Sequence, residues 1–304
     1  MNFKSIEQLV QLAEQGGIPI SEVMIREEMG ASELTRELVI GKMLEHLDTM
    51  EQAAQRGITE DVRSRSGLTG GEGKKLSAYA AAGQSISGSR VLNVVSRAIA
   101  TNEVNAAMGT IVATPTAGAC GVIPGCLFGL ASELGATREA MVRFLFTAGA
   151  IGFVIANQSF ISGAAGGCQA EVGSASAMAA AAIVEMAGGT PRQAAAAAAI
   201  ALKNTLGLVC DPVAGLVEVP CVMRNAMGAA NAMVAADLAL AGVHSVIPAD
   251  EVVAAMYRVG QAMPGTLKET AMGGLADTPT GRAIKQQLFG GSNPLDSSTE
   301  REEG

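Results

Sequence analysis

Residues 168–210 read CQAEVGSASAMAAAAIVEMAGGTPRQAAAAAAIALKNTLGLVC, and this stretch decides the fold class. It contains two runs of small apolar residues, separated by a helix-start signal. Thr190 is the expected N-cap, Pro191 the first helical residue and Gln193 the second member of a capping box. Alanine has the highest helix propensity of any residue. The stretch therefore predicts two consecutive helices, and Gly207 is the expected C-terminal stop of the second.

Other helices are predicted on both sides of this stretch. One is indicated by apolar residues at alternating three- and four-residue spacing: Ile40, Met43, Leu47, Met50 and Ala54. Ser32 can cap this helix and Gly57 can end it. A further capping signal starts a helix at residues 247–260. Because few segments alternate as strands do, the predicted fold class is mainly α, with small side chains that let helices pack backbone-close.

The predicted domain organisation follows the changes in composition. Residues 1–59 form an N-terminal helical segment, and the polar, glycine-rich residues 60–75 form a linker or loop. Residues 76–290 form an alanine- and glycine-rich helical catalytic domain. The polar residues 291–304 are predicted to be a disordered tail.

Charge and hydropathy exclude several classes of partner. The net charge of −8 leaves no basic stripe for nucleic acid. Two uncharged stretches, 104–132 and 144–170, are long enough to raise the question of a membrane span. Prolines and glycines interrupt the first, and the second runs into a glycine loop, so buried core segments are expected and no membrane partner. The amphipathic first residues and the odd number of cysteines, five, favour a cytoplasmic location.

Three of the cysteines lie at the ends of predicted elements. Cys168 precedes a helix, whereas Cys210 and Cys221 lie in the irregular stretch GLVCDPVAGLVEVPC, residues 207–221. A loop of this kind lets thiolates converge and leaves backbone N–H groups to bond the sulfurs. Cys120 and Cys126 lie among small and apolar residues, and they are expected to be buried core thiols.

The residues alone leave the role of the three thiols open. Structural zinc would require paired cysteine spacing and four ligands, and nothing places His46 or His244 near the cysteines. Three thiolates without a fourth ligand suit an iron–sulfur cluster that has one open iron. An inert helical scaffold with core thiols is the alternative from a different functional class.

Longer motifs give the chain a family resemblance. They are SEVMIREEM (21–29), TNEVNAAMGTIVATPTAGACGVIPG (101–125), SGAAGGCQAEVGSASAMAAAAIVEMAGGTP (162–191), KNTLGLVCDPVAGLVEVPCVMRNAMGA (203–229) and TPTGR (278–282). With them the chain resembles the α chain of the bacterial iron–sulfur-dependent L-serine dehydratases, or L-serine deaminases, over nearly its whole length. The resemblance implies that Cys168, Cys210 and Cys221, on irregular glycine-rich loops, hold a [4Fe-4S] cluster.

The implied reaction is that of an L-serine ammonia-lyase, a carbon–oxygen lyase of amino-acid degradation and gluconeogenesis that forms pyruvate and ammonia. The open iron would act as a Lewis acid on the substrate hydroxyl and carboxylate, without pyridoxal phosphate. Asn105 and Thr116 are candidates to bind the substrate carboxylate or amine, although turn and capping roles explain them equally well. Arg224 is a candidate to neutralise cluster or carboxylate charge, with an ordinary ion pair as its alternative.

The chain departs from single-chain members of that family in two ways. Its tail has no cysteine to occupy the fourth iron, and a histidine-bearing segment of an additional domain is missing. The resemblance therefore implies a separate β chain as partner. A cluster-dependent hydro-lyase for another hydroxy acid remains a second reading, with threonine as the rival substrate because a pocket rejects one extra methyl only modestly.

Overall fold

The computed structural model describes residues 1–290, and within them every regular element is helical. The helices are α1 (Ile6–Gly16), α2 (Ile20–Ser32), α3 (Arg36–Thr59), α4 (Glu72–Ala81), α5 (Ser89–Ala106), α6 (Val122–Leu130), α7 (Arg138–Gln158), α8 (Gly163–Gly166), α9 (Ser174–Met186), α10 (Pro191–Lys203), α11 (Cys221–Leu240), α12 (Ala249–Ala262) and α13 (Pro279–Phe289). A π-helical turn, Gln169–Gly173, precedes α9. The predicted mainly α class is confirmed.

Helix α9 is the centre of the molecule. All its residues from Ser174 to Val184 are buried, and it packs against α6, α7, α10 and α11. Most of its side chains are alanine or serine, so neighbouring helices approach it closely on every side. This explains why the alanine-rich stretch is helical but not amphipathic: a helix surrounded by others has no polar face.

Helix α10 begins as the sequence predicts but ends earlier. Thr190 Oγ1 accepts from Gln193 N at 3.2 Å, and Gln193 Oε1 accepts from Thr190 N at 2.9 Å, which completes the capping box. The helix ends at Lys203, four residues before the expected stop at Gly207. Gly207 instead has φ +86° in the turn that leads to Cys210, a conformation that L side chains rarely adopt.

Helix α5 is a second packing centre, and glycines of its neighbours face it. A Cβ added at Gly125 of α6 would lie 2.6 Å from Ala98 Cβ, and one at Gly129 would lie 2.6 Å from Val94 Cα. A Cβ at Gly57 of α3 would lie 2.3 Å from the Ala100 carbonyl oxygen. These distances are too short for any side chain, so helices pack backbone-close here, as the composition predicts.

The predicted ends of α3 are wrong. Ser32 is the last residue of α2, and Thr35 is the N-cap of α3 through its side-chain contact with Leu38 N. Gly57 does not end the helix, because its role is the close approach to Ala100, and α3 continues to Thr59. The apolar stripe behaves as predicted at Leu47, Met50 and Ala54, which are buried, while Ile40 and Met43 are partly buried.

The boundary predicted at residues 60–75 contains the start of α4 at Glu72, so only residues 60–71 are without helix. Side chains of α1, α2 and α3 belong to the same hydrophobic core as those of α7, α9 and α10. The division into an N-terminal segment and a catalytic domain stays a prediction. The predicted tail, 291–304, lies outside the described residues.

Helix α7 is long and apolar enough to cross a membrane by length and composition. In the structure it packs against α2, α3 and α9, and its apolar residues between Val142 and Ile155 are mostly buried by these neighbours. This packing is typical of the core helix of a soluble protein, as expected for the uncharged stretch 144–170.

Candidate metal centre

The fold brings together the three thiols of Cys168, Cys210 and Cys221. Their residues are 3%, 4% and 8% exposed. Burial raises the pKa of Cys168 to about 11. Burial raises the pKa of Cys210 and of Cys221 further, and negative charge on Cys168 adds to the rise in both. The three side chains are therefore close enough to interact electrostatically in a site screened from water.

Cys210 is held by backbone pairing with a distant segment. Cys210 N donates to the Leu267 carbonyl oxygen at 2.9 Å, and Glu269 N donates to the Cys210 carbonyl oxygen at 2.7 Å. The chain after Cys210 is irregular, with a 3₁₀ turn at Val213–Gly215 in which Ala214 has φ +56°. This path brings Cys221, the first residue of α11, back towards Cys210.

Cys168 is connected to the same loop through Gln169, the first residue of the π-helical turn. Gln169 Oε1 accepts from Gly207 N at 2.9 Å, and Gln169 N donates to the Leu208 carbonyl oxygen at 2.9 Å. The Gln169 side chain is completely buried and also donates to the Met256 carbonyl oxygen at 3.1 Å. The two cysteine-bearing segments are thus fixed relative to each other. Single π-helical turns of this kind are frequent at functional sites.

Gly163 lies directly against the thiols. A Cβ at this position would lie 2.6 Å from Cys210 Sγ and 2.7 Å from Glu171 Oε2. Any side chain here would displace the sulfur or the carboxylate. The backbone of α8 therefore forms part of the wall of the site.

Glu171 is a site residue that the sequence interpretation missed. Thr116 Oγ1 donates to Glu171 Oε1 at 2.6 Å, and Cys210 Sγ lies 3.9 Å from Glu171 Oε2. Burial raises the pKa of this carboxyl, and the hydrogen bond from Thr116 opposes that rise. The sequence did carry a signal, because Glu171 is the one charged residue between Phe144 and Val184. Buried carboxylates are rare unless they are paired or functional.

Arg224 is mostly buried and lies beside Cys168. Its Nη1 donates to the Val209 carbonyl oxygen at 2.7 Å, and its Nη2 lies 2.9 Å from Asp211 Oδ1 at an angle that does not make a hydrogen bond. The guanidinium charge lowers the pKa of Cys168 against the effect of burial. Arg224 therefore forms an ion pair, but at the thiol site rather than on the surface.

The two other predicted substrate contacts, Thr116 and Asn105, have different surroundings. Thr116 contacts Glu171 and so faces the thiols. Asn105 Nδ2 donates to the Ala117 carbonyl oxygen at 3.3 Å and lines a neighbouring cavity of about 570 Å³. Within the described residues no hydrogen bond joins Asn105 to the thiol site. The structure thus places Thr116 and Arg224 at the thiols and Asn105 beside them.

The remaining cysteines and both histidines lie elsewhere. Cys120 and Cys126 are fully buried, and burial raises the pKa of Cys120 to about 12. His46 and His244 are exposed.

The arrangement of the donor atoms decides which kind of metal group fits. Among residues 1–290 no group of three or more His, Cys, Asp or Glu side chains is arranged to hold a single metal ion. A four-iron cluster places several atoms between its ligands, so it accepts thiols that stand further apart than the ligands of one ion. Buried thiols beside a cationic guanidinium are suitable donors for such a cluster. By the chemistry of their donor atoms, Cys168, Cys210 and Cys221 are therefore compatible with an iron–sulfur cluster.

Comparison with known proteins places this site in a family. The serine dehydratase alpha chain family matches residues 15–276, a range that includes the three thiols and Glu171. A relative from Bacillus subtilis (strain 168), "Probable L-serine dehydratase, alpha chain", is 62% identical over 290 residues, which cover 95% of this chain and 96% of the relative. The "L-serine dehydratase, alpha chain" of Peptoniphilus asaccharolyticus is 44% identical over 287 residues, with 94% and 98% covered.

Some relatives are longer than this chain. The "L-serine dehydratase" of Mycobacterium bovis (strain ATCC BAA-935 / AF2122/97) is 39% identical over 285 residues, which cover 90% of this chain but 61% of the relative. The family match covers residues 15–276 and so includes every element that forms the thiol site, and the identity with the Bacillus subtilis relative extends over 95% of the chain. The chain therefore belongs to the serine dehydratase alpha chain family.

Proposed function

We propose that this chain is the catalytic chain of a cytoplasmic L-serine ammonia-lyase, which converts L-serine to pyruvate and ammonia without pyridoxal phosphate. The proposal rests on one observation. In a chain of this family, three buried thiols share a site with Glu171, Thr116 and Arg224. The names of the relatives support serine as the substrate.

We infer that Cys168, Cys210 and Cys221 are the ligands of a [4Fe-4S] cluster. Bound there by three thiolates, the cluster would supply a Lewis acid at the iron that lacks a protein ligand, directed at the substrate hydroxyl and carboxylate. The protein must stabilise three thiolates in a buried place, which is unfavourable without compensating positive charge. Arg224 supplies part of that charge next to Cys168.

The polar side chains around the thiols are suited to hold a small amino acid. Arg224 presents a guanidinium, which binds carboxylates well. Glu171 fixes the direction of the Thr116 hydroxyl by accepting its hydrogen bond. Asn105 offers a carboxamide at the neighbouring cavity. Together they would orient serine, and the buried surroundings would exclude water from the reacting bond.

The cluster assignment is tested by iron and acid-labile sulfide per chain after anaerobic purification. We expect Cys168→Ser, Cys210→Ser and Cys221→Ser each to lose most of both, because each removes one of three thiolate ligands. Cys126→Ser is the matched control, since Cys126 is equally buried but lies in α6 away from the site. Wild-type protein without iron, or ligand variants that keep the full content, would contradict the assignment.

We also propose a separate β chain as partner. Two relatives of nearly the same length are named alpha chains, whereas the longer L-serine dehydratase aligns over 61% of its length. The remaining part of such a protein would have its counterpart in the proposed β chain. Serine turnover by the α chain with its cluster, assayed with and without the β chain, tests this. Equal rates in both assays would show that the partner is not needed.

A further inference from the structure

A second cavity, of about 310 Å³, lies between α3, α5 and the loop that joins α6 to α7. None of the thiols and none of the candidate substrate contacts line it. Its polar lining comes from Arg97, Gln55, Ser132 and Glu51, and Phe128 and Met141 contribute apolar walls. We refer to it as the Arg97 cavity.

Arg97 is partly buried and lacks an anionic partner. Its only side-chain hydrogen bond within residues 1–290 runs from Nη1 to the Asn93 carbonyl oxygen of its own helix, at 3.2 Å. Burial lowers the pKa of Arg97, and no carboxylate opposes that shift. The contrast with Arg224 and Arg36 is clear, because each of these has a carboxylate within 3 Å. A half-buried guanidinium without a counter-charge is unfavourable, so the cavity is suited to an anion.

The other groups in the cavity define what kind of anion fits. Within the described residues the side chains of Gln55 and Ser132 make no hydrogen bond to protein, so both can bind a ligand oxygen. The carboxylate of Glu51 pairs with Arg138, which also pairs with Asp48, so Glu51 is only partly neutralised. One guanidinium beside a partly neutralised carboxylate favours a ligand with a single negative charge over one with two. Phe128 and Met141 favour a ligand that also has a small apolar part.

We propose that the Arg97 cavity binds a small carboxylate monoanion, whose oxygens pair with the guanidinium while its carbon chain contacts the apolar wall. Arg–carboxylate pairs are frequently bidentate, and this matches the planar fork that Arg97 presents. The site is distinct from the thiol centre. Arg97 and Asn105 lie eight residues apart on α5, which corresponds to about 12 Å along the helix axis.

The first test measures the thermal unfolding midpoint of the cluster-containing protein in sodium propionate and in sodium chloride at equal ionic strength. Propionate is expected to raise the midpoint saturably, with half-saturation on the order of millimolar for a site with one ion pair. Arg97→Gln should abolish the rise. Arg258→Gln, which removes an exposed arginine of α12, is the matched control and should keep it.

A second variant covers the case in which Arg97→Gln does not fold. Gln55→Glu changes an exposed residue of α3 and places a carboxylate at the edge of the cavity. It should raise the midpoint without added ligand and remove the response to propionate, because the internal carboxylate competes. The proposal is overturned if wild type responds equally to propionate and chloride, or if Gln55→Glu responds as wild type does. A stronger response to phosphate than to propionate would overturn the assignment to carboxylates.

Discussion

Within residues 1–290, Glu22 pairs with more arginine side chains than any other carboxylate does. Its carboxylate accepts from Arg36 Nη1 at 2.9 Å and Nη2 at 2.7 Å and from Arg26 Nε at 3.0 Å, and Arg143 Nη1 lies 3.6 Å away. The Glu22 side chain is 12% exposed. The hydrogen bonds from Arg36 are the main cause that lowers the pKa of Glu22 to about 2, against the opposing effect of burial.

We expect Glu22→Gln to lower the free energy of unfolding by about 1–3 kcal/mol at neutral pH, since charge-assisted hydrogen bonds are lost and arginines are left unpaired. The pKa of Glu22 is lower in the folded than in the unfolded state. Its contribution is therefore complete above pH 4.5 and is lost as the pH falls towards 2. Urea unfolding between pH 7 and pH 3 measures this.

The control for Glu22 is Glu45→Gln, which removes the same charge from an exposed position of α3 that has no ion pair within residues 1–290. This variant should unfold like wild type across the same pH range. A Glu22→Gln protein whose deficit stays constant down to pH 3 would show that packing, and not charge, causes the loss.

At the residue scale the candidate site was only partly predictable. The cysteines could be singled out as candidates because they stand in unusual motifs at the ends of predicted helices. Glu171 was missed because its significance depends on Thr116, which lies 55 positions earlier in the chain. Arg224 is a candidate from the sequence, but the sequence could not show that its ion pair with Asp211 lies next to Cys168.

Among the elements, helices α5 and α6 pack with their backbones almost in contact. Gly125 approaches Ala98 so closely that a Cβ would lie 2.6 Å from Ala98 Cβ and 2.8 Å from Ala98 N. A neighbouring backbone atom cannot move aside as a flexible side chain can. We therefore expect Gly125→Ala to destabilise the protein by about 1–3 kcal/mol, as overpacked cores do. Chemical denaturation measures the loss.

Gly30→Ala is the matched control for this contact. Gly30 lies in α2 and is exposed, and a Cβ added there would meet no other atom within 4 Å. Because alanine is the better helix former, this variant should be more stable than wild type by about 0.5–1 kcal/mol. If both alanine variants were equally stabilising, the backbone contact between α5 and α6 would not be as close as described.

For the helices, a boundary set by neighbouring residues could be predicted from the sequence, whereas a boundary that depends on tertiary contacts could not. The capping box that starts α10 depends on neighbouring residues only, and the sequence located it correctly. The ends of α3 were wrong because Gly57 resembles a helix stop, while its small size serves contact with Ala100 on another helix. The end of α10 was wrong because Gly207 belongs to the turn that follows.

At the scale of the whole molecule, one helix exposes an apolar face. Met223, Met227, Val234 and Leu238 of α11 are 51%, 40%, 57% and 37% exposed, and their spacing places them on one side of the helix. Met223 lies two residues after Cys221, the first residue of the same helix, so one end of this face is near the candidate metal centre. We propose that the β chain covers this α11 face, because a partner seated there would also reach the thiol site.

We expect Val234→Lys combined with Leu238→Glu to abolish copurification with the β chain, because two charges would be placed in an apolar interface. The iron content of the α chain should not change. Leu38→Lys is the control, since Leu38 is exposed on α3, which is not one of the main packing neighbours of α11. Unimpaired copurification of the double variant would rule out this face as the binding site of the β chain.

The backbone hydrogen bonds of Cys210 with Leu267 and Glu269 affect when the thiol site can form during biosynthesis. Leu267 and Glu269, which hold both sides of the Cys210 backbone, leave the ribosome well after the three cysteines do. Domains fold as units once their parts have been translated. A nascent chain that ends before Leu267 has all three thiols but not the geometry that gathers them. We therefore expect loading of the site to begin only after residues 267–269 have left the ribosome.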